Sequence, residues 1–90
     1  MQSRRSKRFR ALFRALPHDA KRQAYAAYRL FTHDPRHPSL HFKKLYDRLY
    51  SVRVGISYRA LGVMENPDLI VWTWIGSHAE YDQLIKRLNG

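Results

Sequence analysis

The 90-residue chain contains no cysteine. That absence removes disulfides, thiolate nucleophiles and the usual structural zinc sites together, and it accords with a reducing compartment. Long apolar runs are missing too. The longest, Leu69 to Gly76, is interrupted by Thr73 and falls far short of the roughly 20 residues a spanning helix needs. The basic N-terminus has no apolar segment behind it long enough for a secretory signal, so the expectation is a cytoplasmic protein with no membrane partner. Acidic residues are scarce: seven Asp and Glu stand against seventeen Lys and Arg, giving a net charge of +10 and a pI near 10.6. Such an imbalance points to a polyanionic partner. No glycine-rich phosphate loop, nucleophile elbow, carboxylate cluster for a metal or pair of catalytic acids occurs.

What is present suits one small folded domain over residues 1–90. A hydrophobic share of 44%, with two Trp, six Tyr and four Phe, supports a core rather than disorder. A chain of this size hides only about 60 to 65% of its unfolded surface, so modest stability is expected and a partner would add to it. Neither a repeat nor a low-complexity tract interrupts the sequence.

Phe9, Leu12, Phe13 and Leu16 recur at helical spacing among Arg8, Arg10 and Arg14, which predicts an amphipathic helix from about residue 4 to 16. Pro17 ends it and suits the start of a second helix, with Asp19 near the positive end. Ala20, Ala24, Ala27, Tyr28 and Phe31 mark that helix's buried face. His33 to Ser39 holds two prolines and reads as a loop. From Leu40 the pattern turns extended, and strands are expected near 40–45, 48–54, 58–64 and 69–76, with turns at 55–57 and 65–68. The last of these, apolar on both faces, should be central. A short third helix follows from His78 to Leu88. The fold class expected is therefore α+β: an N-terminal helical hairpin on a small antiparallel sheet of three to four strands, closed by a short C-terminal helix.

Chemistry concentrates at the end of that sheet. Alternation puts Tyr50, Val52 and Val54 on one face and Ser51 and Arg53 on the other. Arg59 lies on the next antiparallel strand, so both guanidinium groups can face one phosphate and stabilise the charge of a pentavalent transition state. They serve equally well as two solvated surface arginines. His78 stands where the last strand becomes a helix, and its imidazole is suited to moving a proton near neutral pH; its plain alternative is the opening residue of that helix. Tyr81, one turn on, can position a ribose, stack on a base or anchor the helix. Lys43, Lys44, Lys21, Arg22 and Arg36 form a basic track for phosphate contacts. His33, His37 and His41 have metal-like spacing, but Pro35 and Pro38 deny them a regular helix, so neither a metal nor another cofactor is expected.

The order of Phe42-Lys-Lys-Leu45, Leu49-Tyr-Ser-Val-Arg53, Tyr58-Arg59 and Trp74-Ile-Gly-Ser-His-Ala-Glu-Tyr-Asp82 resembles the RelE/ParE superfamily of toxins from bacterial type II toxin–antitoxin systems. The resemblance implies an mRNA interferase, a metal-free endoribonuclease that inhibits translation and growth by cutting mRNA on the ribosome. Attack of a ribose 2′-hydroxyl on the neighbouring phosphate is the chemistry it implies. Carried over by position, Arg53 and Arg59 match phosphate-holding positions, His78 the Arg or His after the last strand, and Tyr81 a terminal Tyr or His. Lys43 and Lys44 match a basic segment ahead of the hairpin. Ser51 departs from the pattern, standing where some members carry another base. Residues 1–8 look too polar for the strand with which the family usually opens.

The partners this implies are mRNA, the ribosome, and an antitoxin that is acidic and partly disordered alone, which would cover the face bearing Trp72 and Trp74. Two alternatives remain: a ParE-like poison of DNA gyrase without nuclease activity, and a non-catalytic RNA- or ribosome-binding module.

Overall fold

In the computed structural model, which describes residues 1–89, the first helix begins later than its apolar spacing suggests. Ser6 stops it: the Ser6 hydroxyl accepts from the Phe9 amide at 3.1 Å, and helix α1 runs only over Lys7–Arg14. The residues before Ser6 are not helical at all. Gln2–Arg5 form an edge strand, β1, polar as it is. Backbone bonds carry it, with the Gln2 amide donating to Asp68 O at 2.7 Å and the Ser6 amide to Trp72 O at 2.9 Å. An edge strand needs little apolar surface, and Ser3 anchors this one by donating its hydroxyl to Tyr28 Oη at 2.9 Å.

After Pro17, helix α2 spans His18–His33. Asp19 sits in its first turn and accepts from Arg22 at 2.7 Å and Gln23 at 2.8 Å; these bonds, Arg22's first, hold the carboxyl below its ordinary range. The prolines then shape the loop. Pro38–Leu40 form a 3-10 turn ended by a left-handed His41 (φ 46°), so the next strand starts three residues later than expected. The strands that follow are β2 (Lys43–Tyr46), β3 (Leu49–Val54), β4 (Tyr58–Asn66) and β5 (Leu69–Ser77), and helix α3 closes the chain over His78–Asn89.

The fold is α+β with a five-stranded mixed sheet in the order β1-β5-β4-β3-β2. β2 to β5 pair antiparallel in sequence order, as their short turns require, while β1 runs parallel to β5. The sheet is thus larger than the sequence suggested, because β1 joins it. β4 rather than β5 is the middle strand, and β5 is interior only because β1 covers its outer edge.

The α1–α2 hairpin buries one face of the sheet. Phe9, Phe31, Val52, Val54, Ala60, Ile70, Trp72 and Ile75 form this core with Leu40. The Phe31 ring meets Phe42 and Trp72 edge-on, at 5.1 and 5.2 Å between centroids. A cavity of about 270 Å³ remains between hairpin and sheet.

A bulge in β5 distributes the two tryptophans. Leu61 pairs with Trp74 but the next residue, Gly62, pairs with Trp72, leaving Thr73 as the extra residue. Its hydroxyl donates to Leu61 O. Trp72 therefore enters the hairpin core and Trp74 the opposite face, so the shared face expected for an antitoxin does not exist. Gly62 is where Trp72 and Ile70 cross β4, and a Cβ there would stand 2.8 Å from both side chains. Among the described residues, no helix is long and apolar enough to cross a membrane.

Helix α3 is launched by a reciprocal cap. The Glu80 amide donates to Ser77 Oγ at 3.1 Å, and the Ser77 amide returns a bond to Glu80 Oε1 at 2.9 Å. The Ser77 amide, then its hydroxyl, holds the Glu80 carboxyl below its usual 4.5. Because the folded state favours the ionised form, this cap contributes above that usual value and is lost as pH falls through the lowered one. Ser77→Ala is expected to cost about 1 kcal/mol in urea unfolding. Glu80→Gln, which cannot ionise, should differ most from the parent above that usual value and less as pH falls through the lowered one.

Candidate functional site

The face of the sheet turned away from the α1–α2 hairpin carries the charged groups. Strand alternation sends Val52 and Val54 into the core and leaves Ser51 and Arg53 on the opposite side, as the sequence pattern predicts. β3 and β4 are in register so that Arg53 stands directly across from Arg59, and Ser51 across from Leu61. On the other side of β3, Lys43 faces Ser51. Lys43, Arg53 and Arg59 thus share one face. Ser51 itself is buried, at 3% exposure.

Two guanidinium groups on directly paired positions repel each other, and their surroundings sharpen this. Burial first, and Arg53 second, push Arg59 below the ordinary arginine value, while Tyr81 and Asp82 act in the opposite sense. Arg59 is tied down by its own strand end, donating to Tyr58 O at 2.7 Å and Ile56 O at 3.3 Å. Arg53 Nε is shielded from solvent and has no hydrogen-bond partner. A charged donor left in that condition is costly.

α3 brings the remaining groups to the same place. Gly76 pairs with Arg59, and the His78 amide donates to Ser57 O at 2.8 Å, fixing the helix start beside the β3–β4 turn. His78 Nε2 lies 3.4 Å from Asp82 Oδ1 one turn on, and the His78 and Tyr81 rings are 6.5 Å apart. Asp82 is the neighbour that sequence reading passed over, although i,i+4 spacing on a helix announces the contact. The Asp82 carboxylate thus stands beside the Nε2 edge of the imidazole.

The rest of the basic track is scattered. Lys44 pairs with Tyr50 and so points to the hairpin side of the edge strand. Lys21 and Arg22 sit on α2, across the sheet from Arg53, with Arg22 paired to Asp19. Arg36 lies in the loop after α2, its amide donating to Asp34 Oδ1. Of the five lysines and arginines in the track, only Lys43 joins the arginine pair. In the same loop, His37 Nδ1 accepts from the Ser39 amide. Among the described residues, no three of His, Asp and Glu come together in a metal-binding arrangement.

The family model described as the ParE-like toxin domain matches residues 18–83. No curated protein matches the chain. Its fold is similar to that of three solved structures. One is a RelB–RelE antitoxin–toxin complex from Methanococcus jannaschii (TM-score 0.69, 20% identity, 89% of this chain and 96% of that one). Another is the isolated RelE toxin of E. coli (0.63, 15%, 97% of each). A third is a toxin–antitoxin complex from Mycobacterium tuberculosis (0.58, 23%, 87% of this chain and 91% of that one).

The arginine pair generates a stability test that needs no substrate. Arg53→Gln removes a like-charge cross-strand contact and should raise the melting temperature in chloride, by the equivalent of about 0.5 kcal/mol. Inorganic phosphate at matched ionic strength should stabilise the parent chain and leave Arg53→Gln nearly unmoved in a thermal-shift measurement.

Proposed function

The chain belongs to the family of ParE-like toxin domains, and on that premise we propose that this toxin is an endoribonuclease that cleaves mRNA on the ribosome. The observation that carries the reading is the Arg53–Arg59 pair, directly opposed on one sheet face with an unsatisfied Arg53 Nε and with His78 and Tyr81 delivered beside it by α3.

The reaction follows from those groups. The ribose 2′-oxygen bonds to the adjacent phosphorus as the bond from phosphorus to the 5′-oxygen breaks, giving a cyclic phosphate and a free 5′-hydroxyl. Charge builds on the non-bridging oxygens in the pentavalent state, where Arg53 and Arg59 stabilise it. One proton leaves the 2′-hydroxyl and one reaches the departing oxygen. His78, with the Asp82 carboxylate beside its Nε2, is the group suited to transfer one of them. Tyr81 orients the ribose, and Lys43 holds the strand electrostatically. A basic face of this kind also suits an acidic antitoxin segment, which would neutralise the arginines and block the site; the complexes from M. jannaschii and M. tuberculosis are antitoxin–toxin pairs.

A second reading has its own support, since the matching family model is the ParE-like one. In it the chain blocks DNA gyrase and cuts no RNA. The two separate in a reconstituted translation reaction mapped by primer extension. The nuclease produces new mRNA ends on the ribosome, and Arg53→Ala or Arg59→Ala lowers the cleavage rate by about 10² to 10³. His78→Ala lowers it by about 10² or more. Intact mRNA together with inhibited gyrase supercoiling would replace this reading with the gyrase one.

A further inference from the structure

α3 has two flanks, and only one faces the arginine pair. Helical periodicity places His78 and Asp82 on one side, Glu80, Gln83 and Arg87 on the other, and Tyr81, Leu84 and Ile85 between them. On the second side a cleft of about 390 Å³ opens between α3 and the start of α1, lined by Arg8, Trp74, Glu80, Gln83, Leu84 and Arg87. That volume falls within the roughly 300 to 1,000 Å³ of small-ligand sites.

We propose that this cleft binds one nucleotide of single-stranded RNA, its base stacked on the Trp74 indole and its phosphates held by Arg8 and Arg87. The indole is displayed here by two backbone devices. The Thr73 bulge turns Trp74 out of the core, and the bare backbone of Gly76 lets the ring lie flat, since a Cβ there would come within 2.6 Å of Trp74 Cζ2. Both guanidinium groups are exposed. Among the described residues, the ion pairs are Arg22–Asp19 and His78–Asp82, so neither Arg8 nor Arg87 is neutralised. The cleft's one carboxylate, Glu80, is engaged by the Ser77 amide.

The approach is strongly positive as well. Arg4, Arg5, Lys7, Arg8, Arg10 and Arg14 precede the first acidic residue, Asp19. Lys7, Arg10 and Arg14 line the outer stripe of α1, away from Phe9 and Phe13. Arg8 and Arg87 both lie outside residues 18–83, the span matched by the family model. A flat aromatic floor between two guanidinium groups, with the Gln83 amide at the wall, is the chemistry of base stacking and phosphate contact. The carboxylates of an acidic peptide can pair with the guanidinium groups but do not stack on the indole. The choice of RNA rests on the proposed function; the cleft's geometry does not.

The test uses a hexa-adenylate with 2′-O-methyl riboses, which binds but cannot be cut by 2′-hydroxyl attack. The Trp74 indole N–H resonance of the full chain is followed by NMR while affinity is measured against salt. The expected result is a shift of that resonance on binding. Arg8→Gln combined with Arg87→Gln should weaken binding about tenfold and lower the slope of log K against log salt by about 1.4, roughly 0.7 for each phosphate that is no longer neutralised. Arg53→Gln combined with Arg59→Gln should leave the Trp74 shift in place, which separates this cleft from the catalytic reading. If mRNA stays intact in the cleavage assay while the shift persists, the nuclease reading fails and the cleft stands. An unmoved Trp74 resonance, a response insensitive to Arg8 and Arg87, or an equal response to hexaglutamate would each overturn the proposal.

Discussion

The register of β3 against β4 is the constraint on which the rest of this molecule depends. It places Val52 opposite Ala60 under the helical hairpin and, one residue on, Arg53 opposite Arg59 on the far side. A slip of β3 by a single residue would turn its faces over, putting the Arg53 guanidinium into the core and Val52 and Val54 on the far side. The apolar face is therefore what enforces the electrostatic arrangement. Burying Val52, Val54, Ala60 and Phe31 favours folding by roughly 1.5 to 3 kcal/mol for each large side chain, far more than a surface pair of like charges costs. The core can hold two arginines together that would otherwise separate.

β5 must serve both faces at once, and the Thr73 bulge makes this possible. Trp72 fills the hairpin core against Phe31, whereas Trp74 lies over Gly76 on the other side beside α3. The same strand then ends at Ser77, whose reciprocal cap with Glu80 sets the direction of α3. That direction gives the helix two working flanks, with His78 and Asp82 beside the arginine pair and Gln83 and Arg87 beside Trp74 and Arg8. One capping interaction thus places both the groups beside the arginine pair and those lining the second cleft.

Positive charge is spread over the chain, but its roles differ by location. Arg53 and Arg59 are held by backbone and packing, which suits them to one defined anion. The cations of α1 stand on a helix stripe free to track a polymer, and contacts of that kind supply affinity and salt dependence rather than selectivity. Lys21, Arg22 and Arg36 lie apart from both groups, so sequence proximity and shared charge were poor guides to what meets in space.

Much was legible from residues alone. Local periodicity and turn chemistry determined the two hairpin helices, the four antiparallel strands, the outward face of Arg53 and the helix start at His78, because each depends on neighbours within a few residues. The excess of positive charge, which points to a polyanionic partner, was equally plain from composition. Tertiary structure decided what local signals do not encode. Gln2–Arg5 became a strand because β5, more than sixty residues away, offered an open edge, and no apolar pattern was needed for backbone pairing. Trp72 and Trp74 parted because one unpaired residue reset the alternation, which the spacing of the tryptophans conceals. Lys43, not Lys44, joined the arginines because strand register chooses the face. Pairing partners, register and bulges are set by the sum of long-range burial and backbone bonding, and these appear only once the sheet is assembled.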